Sequence, residues 1–143
     1  MYMRTLDERL QMASELHKQG FNCCQCVAIA FDDTIIIAPE ALSAATVCFG
    51  GGFGGQGEVC GAISGMAIVD SMLHYAGPSS KMTVYANVRQ ITQHFADLNG
   101  SIYCRELRSK APVNTTGNII CHKPCSEYIA DAIRILDNKI NNK

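Results

Sequence analysis

Apolar side chains recur at helical spacing through most of this chain, and polar caps and glycines mark where each run begins and stops. The first run sets Leu6, Leu10, Ala13 and Leu16 on one face. It follows Thr5-Leu-Asp-Glu8, a capping box in which hydroxyl and carboxylate satisfy the free N–H groups of a helix start, and Gly20 is a natural stop. Asn22 caps a second predicted helix that opens Cys23-Cys24-Gln25-Cys26. Its apolar face is Cys23, Val27, Ala30 and Phe31, with Cys26 beside it and Asp32-Asp33 near its end. Pro39 suits the first turn of a third helix, which runs to Cys48 and out into a glycine-rich loop.

A fourth helix is predicted from Cys60 to about Ala76, closed by Gly77-Pro78. Gly61, Ser64 and Gly65 leave a shallow groove on it where a neighbouring helix or a cofactor packs close. Ser80 caps a fifth helix with Val84, Val88, Ile91, Phe95 and Leu98 inward. After the Asn99-Gly100 break, Ser101 caps a short helix carrying Cys104-Arg-Glu-Leu107. Residues 109–120 read as a loop. Pro124 starts the last helix, with Cys125, Ile129, Ala132, Ile133 and Leu136 along it. No sustained strand alternation exists. The expectation is an all-α fold of six or seven helices, a single domain over residues 1–143.

Composition narrows the function. With 12 basic and 13 acidic side chains in 143 residues, there is no electrostatic footprint for nucleic acid or an anionic membrane. No apolar run approaches the roughly 20 residues that span a bilayer, and the first residues lack the apolar core of a signal peptide. A soluble cytoplasmic protein is expected. Eight cysteines then stand out. At about 6% of the chain they fall below the roughly 8–10% of a disulfide scaffold, and clustered cysteines in a reducing compartment more often bind metal or do redox chemistry.

Position is the informative property of these cysteines. Cys23, Cys60, Cys104 and Cys125 each fall at the predicted start of a different helix, where unpaired N–H groups and the positive dipole end favour thiolate. If the four starts converge, they make a four-thiolate pocket roofed by the glycine loop. Any one of them is equally well read as a small buried hydrophobe. Cys24 and Cys48 read as ordinary core or surface residues, and Cys26 and Cys121 fit either role. The loop Gly50-Gly-Gly-Phe-Gly-Gly-Gln-Gly57 contains two overlapping G-x-G-x-x-G matches, but the residues before it continue a helix, so a dinucleotide-binding βαβ unit is rejected.

Asn22-Cys23-x-Gln25, Phe49-Gly-Gly-Gly-Phe-Gly with Cys60-Gly-Ala-x-x-Gly65, Gly100-Ser-Ile-x-Cys104-Arg-Glu-Leu107 and Cys125-x-x-Tyr128-Ile-x-Asp-Ala132 together resemble the C_GCAxxG_C_C family. The likeness runs in order from about residue 8 to 138. The resemblance implies a redox-active protein whose signature cysteines are Cys23, Cys60, Cys104 and Cys125, serving in redox chemistry or as metal ligands. A related domain in a multihaem cytochrome associates such cysteines with an iron–sulfur site. This chain adds Cys24, Cys26, Cys48 and Cys121 to the minimal pattern.

Four thiolates suit an iron–sulfur cluster or a tetrahedral zinc ion. One ligand from each of four helices is unlike the paired knuckles of structural zinc sites and closer to a cluster cavity. Loop N–H groups at Gly52, Gly54, Gly55 and Gly57, with the bare Gly61, are expected to hold such a cofactor and to donate to its sulfurs. Electron transfer with a redox partner protein is therefore the first expectation. The second is a metal-free dithiol protein using Cys23–Cys26 and Cys121–Cys125. The third is a structural, partner-binding helical protein with at most a zinc site. A homodimer follows if the Gly61–Gly65 face meets a copy of itself.

His17, His74, His94 and His122 carry little weight at this level. Asp70 fits either a buried carboxylate near the site or a solvated face. Arg105 fits either a thiolate partner or a surface pair with Glu106. Met66, Met72 and Met82, at helical spacing, read as core.

Overall fold

A computed structural model describes residues 3–109 and 123–142. The predicted loop that carries Pro112 and Gly117, together with Cys121 and His122, lies outside the described residues. Among the described residues seven α-helices follow one another: α1 Leu6–Lys18, α2 Cys23–Ile29, α3 Pro39–Thr46, α4 Gly61–His74, α5 Lys81–Asn99, α6 Cys104–Leu107 and α7 Cys125–Asn141. The fold is all-α, and among the described residues the sole strand-like pairing is one antiparallel bridge, Val59 with Tyr103. No helix is long and apolar enough to cross a membrane.

A short helix, α2, is the central one. Every residue of α2 from Cys24 to Ile29 is buried, and Ala30 and Phe31 continue the run. A helix that is apolar all round must be enclosed on all sides. Helices α1, α3, α4 and α7 pack around it. The face expected from the sequence is found at Val27, Ala30 and Phe31, while Cys23, at the first turn, is half-buried. Phe95, Leu42, Met66, Leu107, Ile133 and Leu136 complete the fully buried core.

Local chemistry explains the helix starts. The box at α1 is made as expected: Glu8 N–H donates to Thr5 Oγ1 at 3.2 Å, and Thr5 N–H donates to Glu8 Oε1 at 2.8 Å. Asn22 does the same for α2 with Gln25 as its reciprocal partner, both bonds being 3.0 Å. Gln25 also donates to the Ser43 carbonyl and Asn22 to that of Val47, which fastens α3 to the start of α2. Gly100, at φ 82°, ends α5 in the left-handed conformation.

Several expectations need correction. Helix α3 stops at Thr46 and continues as a 3₁₀ turn, Val47–Phe49, and α4 stops at His74 rather than Ala76. Ser80 does not cap α5; its hydroxyl accepts from Ala76 N–H, because the chain turns back at Gly77-Pro78. Ser101 likewise accepts from Tyr103 N–H in the turn before α6, which has no side-chain cap. Leu98 is exposed and Asn99 beside it is buried, so the inward stripe of α5 ends one position later than expected. Met66 is core, but Met72 and Met82 are exposed. The Gly61–Gly65 face is already covered by α2. A Cβ on Gly65 would lie 2.9 Å from the Cys24 carbonyl oxygen and 2.9 Å from Val27 Cβ. The groove serves a neighbouring helix of the same chain and is not open to a second copy.

At the far end of α2 lies a structural feature with no counterpart among the expectations. Arg9 is 1% exposed; its guanidinium donates to Asp33 at 2.6 Å, to the Ala30 carbonyl at 2.7 Å and to Asp137 at 3.3 Å, and it lies over the Phe31 ring. Arg4 closes the same cluster through Asp32 and Asp33. Burial favours a protonated Asp33, but hydrogen bonds from Arg9 and Arg4 outweigh it and hold the carboxyl below its usual range.

Candidate functional site

The starts of α2, α4, α6 and α7 meet. Cys23, Cys60, Cys104 and Cys125 all line one cavity of about 200 Å³. The remaining walls come from His17, Asn22, Gly51, Leu107, Arg108 and Tyr128. All seven described cysteines are free thiols. Cys23, Cys104 and Cys125 are the first residues of their helices, whereas Cys60 is one position earlier, at the N-cap of α4.

Each thiol is positioned by a separate device. The Asn22–Gln25 box sets the first turn of α2 and hence Cys23. Cys60 and Cys104 are brought side by side by the two-stranded contact at the loop exit: Cys60 N–H donates to the Ile102 carbonyl and Cys104 N–H to the Glu58 carbonyl, each at 2.7 Å. The Tyr128 hydroxyl donates to the Leu107 carbonyl at 2.9 Å, which locks the start of α7, and with it Cys125, against α6.

Two glycines are required by close approach. A Cβ on Gly61 would collide with Cys23 Sγ, so this position of α4 must be bare for the two helix starts to meet. Gly52, at φ 73°, lies where a Cβ would stand 2.5 Å from Glu58 N and 2.7 Å from Cys104 Cβ. Its role is to let the loop fold back on the cysteine-bearing turn. The wider expectation for the loop needs revision. Gly54, Gly55 and Gly57 N–H groups donate to the carbonyls of Cys48, Gly50 and Gly51, and Glu58 N–H to that of Gly52. These donors are spent inside the loop. Neither they nor Gly52 and Gly61 line the cavity; Gly51 does.

Burial decides the charge of the thiols. Cys60 is 6% exposed, and desolvation, with the neighbouring Cys23 adding to it, pushes its thiol up to about 12. The N–H groups of Ala62 and Ile63 face its sulfur and hold the rise back. Cys125 is exposed as a residue, yet its thiol is also raised, by burial first and then by Cys23, against the lowering effect of Arg108. At Cys60 and Cys125 a helix-start position therefore does not by itself yield a thiolate, because desolvation is the larger effect. Among the described residues, no three of His, Cys, Asp and Glu stand close enough to hold a single metal ion.

The other cysteines separate cleanly. Cys24 and Cys26 are fully buried, and Cys48 is exposed on the turn after α3. Burial pushes Cys26 up to about 12, and its sulfur lies 3.6 Å from the Phe21 carbonyl oxygen, in the core and outside the cavity. Cys121, the expected partner of Cys125, lies outside the described residues.

Of the uncommitted polar residues, His17 and Arg108 belong to the site. Both had a signal. His17 continues the Leu6, Leu10, Ala13 stripe by one helical step, and Arg108 follows Cys104 by four residues, on the same side of a helical turn. Asp70 is fully buried but not at the cavity; it pairs with Lys139 at 3.1 Å and His74 at 3.3 Å. Arg105 pairs with Glu58 at 3.0 Å rather than with Glu106. His94 is exposed, as expected of a surface histidine.

Comparison with known proteins agrees with this arrangement. A protein of Archaeoglobus fulgidus described as "Uncharacterized protein" is 25% identical over 144 residues, covering 93% of each chain. No solved structure matches the chain. The family described as "Putative redox-active protein (C_GCAxxG_C_C)" matches residues 21–139, a span that contains all four cavity cysteines. The chain belongs to the C_GCAxxG_C_C family.

Proposed function

We propose that this cytoplasmic protein is an electron-transfer protein in which Cys23, Cys60, Cys104 and Cys125 together hold an iron–sulfur cluster. The observation that carries the reading is the convergence of four free thiols, one from each of four helix starts, on one cavity. The donor set fits: four cysteine sulfurs are the ligand complement of a [2Fe–2S] or [4Fe–4S] centre. One sulfur from each of four helix starts is unlike the paired knuckles of structural zinc sites, which favours a cluster over a lone zinc ion.

A bound cluster supplies one-electron transfer to and from a partner protein. The chain's own contribution is to hold and enclose. Cys60 and Cys104 supply buried sulfurs, Leu107 and Tyr128 keep water from the walls, and N–H groups of Ala62 and Ile63 face the Cys60 sulfur. Because burial keeps the Cys60 thiol protonated near neutrality, ligation there must release a proton. The metal-free dithiol reading is left without its Cys23–Cys26 pair, because Cys26 is in the core; its other pair, Cys121–Cys125, includes a residue outside the described ones.

The test is iron, acid-labile sulfide and visible absorption on protein purified without oxygen, for wild type and Cys60→Ser. Iron with matching sulfide in wild type, lost in the variant, is the expected result. A full metal complement in Cys60→Ser would sink the proposal. Zinc alone would move the site to a structural role, and reactive thiols with no metal would favour thiol–disulfide exchange.

A further inference from the structure

The walls of the thiol cavity are unbalanced in charge. Among the described residues its lining contains Arg108 and His17 and no carboxylate. Arg108 is also set apart from most other arginines of the fold. Arg4, Arg9, Arg105 and Arg134 each sit within ion-pair distance of an aspartate or glutamate, and Arg108 does not, among the described residues. Its backbone N–H donates to the Cys104 carbonyl, so the residue is tied to the site by one turn of chain while its side chain stays exposed. An arginine left without a carboxylate in the lining of a thiol cavity adds a positive charge to its walls, and low-dielectric walls of that sign concentrate anions.

We propose that the cavity admits small anionic thiol-reactive molecules in preference to neutral ones, and that Arg108 is the residue that sets this selectivity. The inference rests on reading the cavity as a thiol site, and it concerns what reaches those thiols. His17 is the other lining residue able to carry positive charge. Both groups favour a reactant bearing a carboxylate or sulfonate.

The probes are matched methanethiosulfonates, one carrying a sulfonatoethyl group and one a hydroxyethyl group. A cavity thiol loses its proton to solvent and the thiolate attacks the sulfenyl sulfur. A new S–S bond forms, the S–S bond to the sulfonyl group breaks, and methanesulfinate leaves, so no further oxidant is needed. Rates are read by mass spectrometry on the reduced, metal-free full chain with Cys48 and Cys121 replaced by serine. The expected result is an anionic-to-neutral rate ratio that falls about three- to tenfold in Arg108→Gln, the size of one partly screened charge. Arg108→Lys should keep it within about twofold, and 1 M salt should bring wild type down to the Gln variant. An unchanged ratio in Arg108→Gln, or no reaction of any cavity thiol with either probe, overturns the inference. Because Arg108 is exposed and has no carboxylate partner among the described residues, the variant should melt as wild type does. A failed iron analysis removes the cluster and leaves this ratio standing; an unchanged ratio removes the selector and leaves the cluster standing.

Discussion

The two ends of α2 solve opposite problems with the same few kinds of residue. At its C-terminal end, Arg9 and Arg4 meet Asp33, Asp32 and Asp137, and every charge there has a partner. At its N-terminal end, four thiols and Arg108 share a cavity with no carboxylate in its walls. The first end is finished as structure, since each buried polar group is satisfied by the protein itself. The second is left with thiols in free form and a cation without a counter-charge, which is what a site awaiting something from outside requires.

The largest effect is expected at the finished end. Arg9→Met strands Asp33 and Asp137 without their buried partner and should cost about 3–5 kcal/mol in urea denaturation. A loss under about 1 kcal/mol would show that this cluster is no more a structural pin than an exposed pair. The same cluster predicts an acid limb. Asp33 is held below its unfolded value, so its stabilisation is present above that value, near pH 4, and is lost as pH falls through the lower folded one.

A medium effect belongs to the open end. Gly61→Ala sets a methyl group against Cys23 Sγ and should cost about 1–3 kcal/mol by overpacking. It should also displace Cys23 and lower iron content relative to wild type. A variant with unchanged stability and full iron would mean that the approach of α4 to α2 does not govern the site.

The smallest effect separates the two kinds of cysteine. Cys26→Ala removes one buried sulfur outside the cavity, should cost about 1 kcal/mol and should leave iron content intact. It also carries a pH signature. Cys26 and Cys60 are both raised from 9.0 to about 12 in the folded protein. The unfolded chain therefore loses these protons first, and metal-free stability, complete below pH 9, falls as pH rises toward 12. Cys26→Ala should make that fall shallower in a series of thermal melts; an unchanged slope would mean that Cys26 does not contribute to it.

The helix starts were legible because their causes are local. A cap and its partner lie three residues apart, as in Thr5–Glu8, so no tertiary knowledge is needed to find them. The reciprocal Asn22–Gln25 box follows the same spacing with an amide pair. Arg9 had a signal as well, since it falls on the apolar stripe between Leu6 and Ala13, where a charge must be either an error or a buried pair. The loop was harder. Its glycines announced positive φ and close approach, but its N–H groups turned inward to its own carbonyls, a choice set by the loop's three-dimensional path.

Sequence alone was enough to say that this chain is helical, where most helices begin to within a residue or two, and that four of its cysteines lie at helix starts, because propensity, capping and apolar spacing act over a few residues. Only the tertiary structure decided which cysteines share a space. Cys23 and Cys26 differ by three positions, yet one faces the cavity and the other the core, because α2 is enclosed on all sides and its rotation is set by packing. The meeting of Cys60 with Cys104 depends on a bridge between Val59 and Tyr103, and the charge of the cavity walls depends on which arginines find carboxylates. Those are long-range outcomes, fixed by how the helices pack and not by the residues next in line.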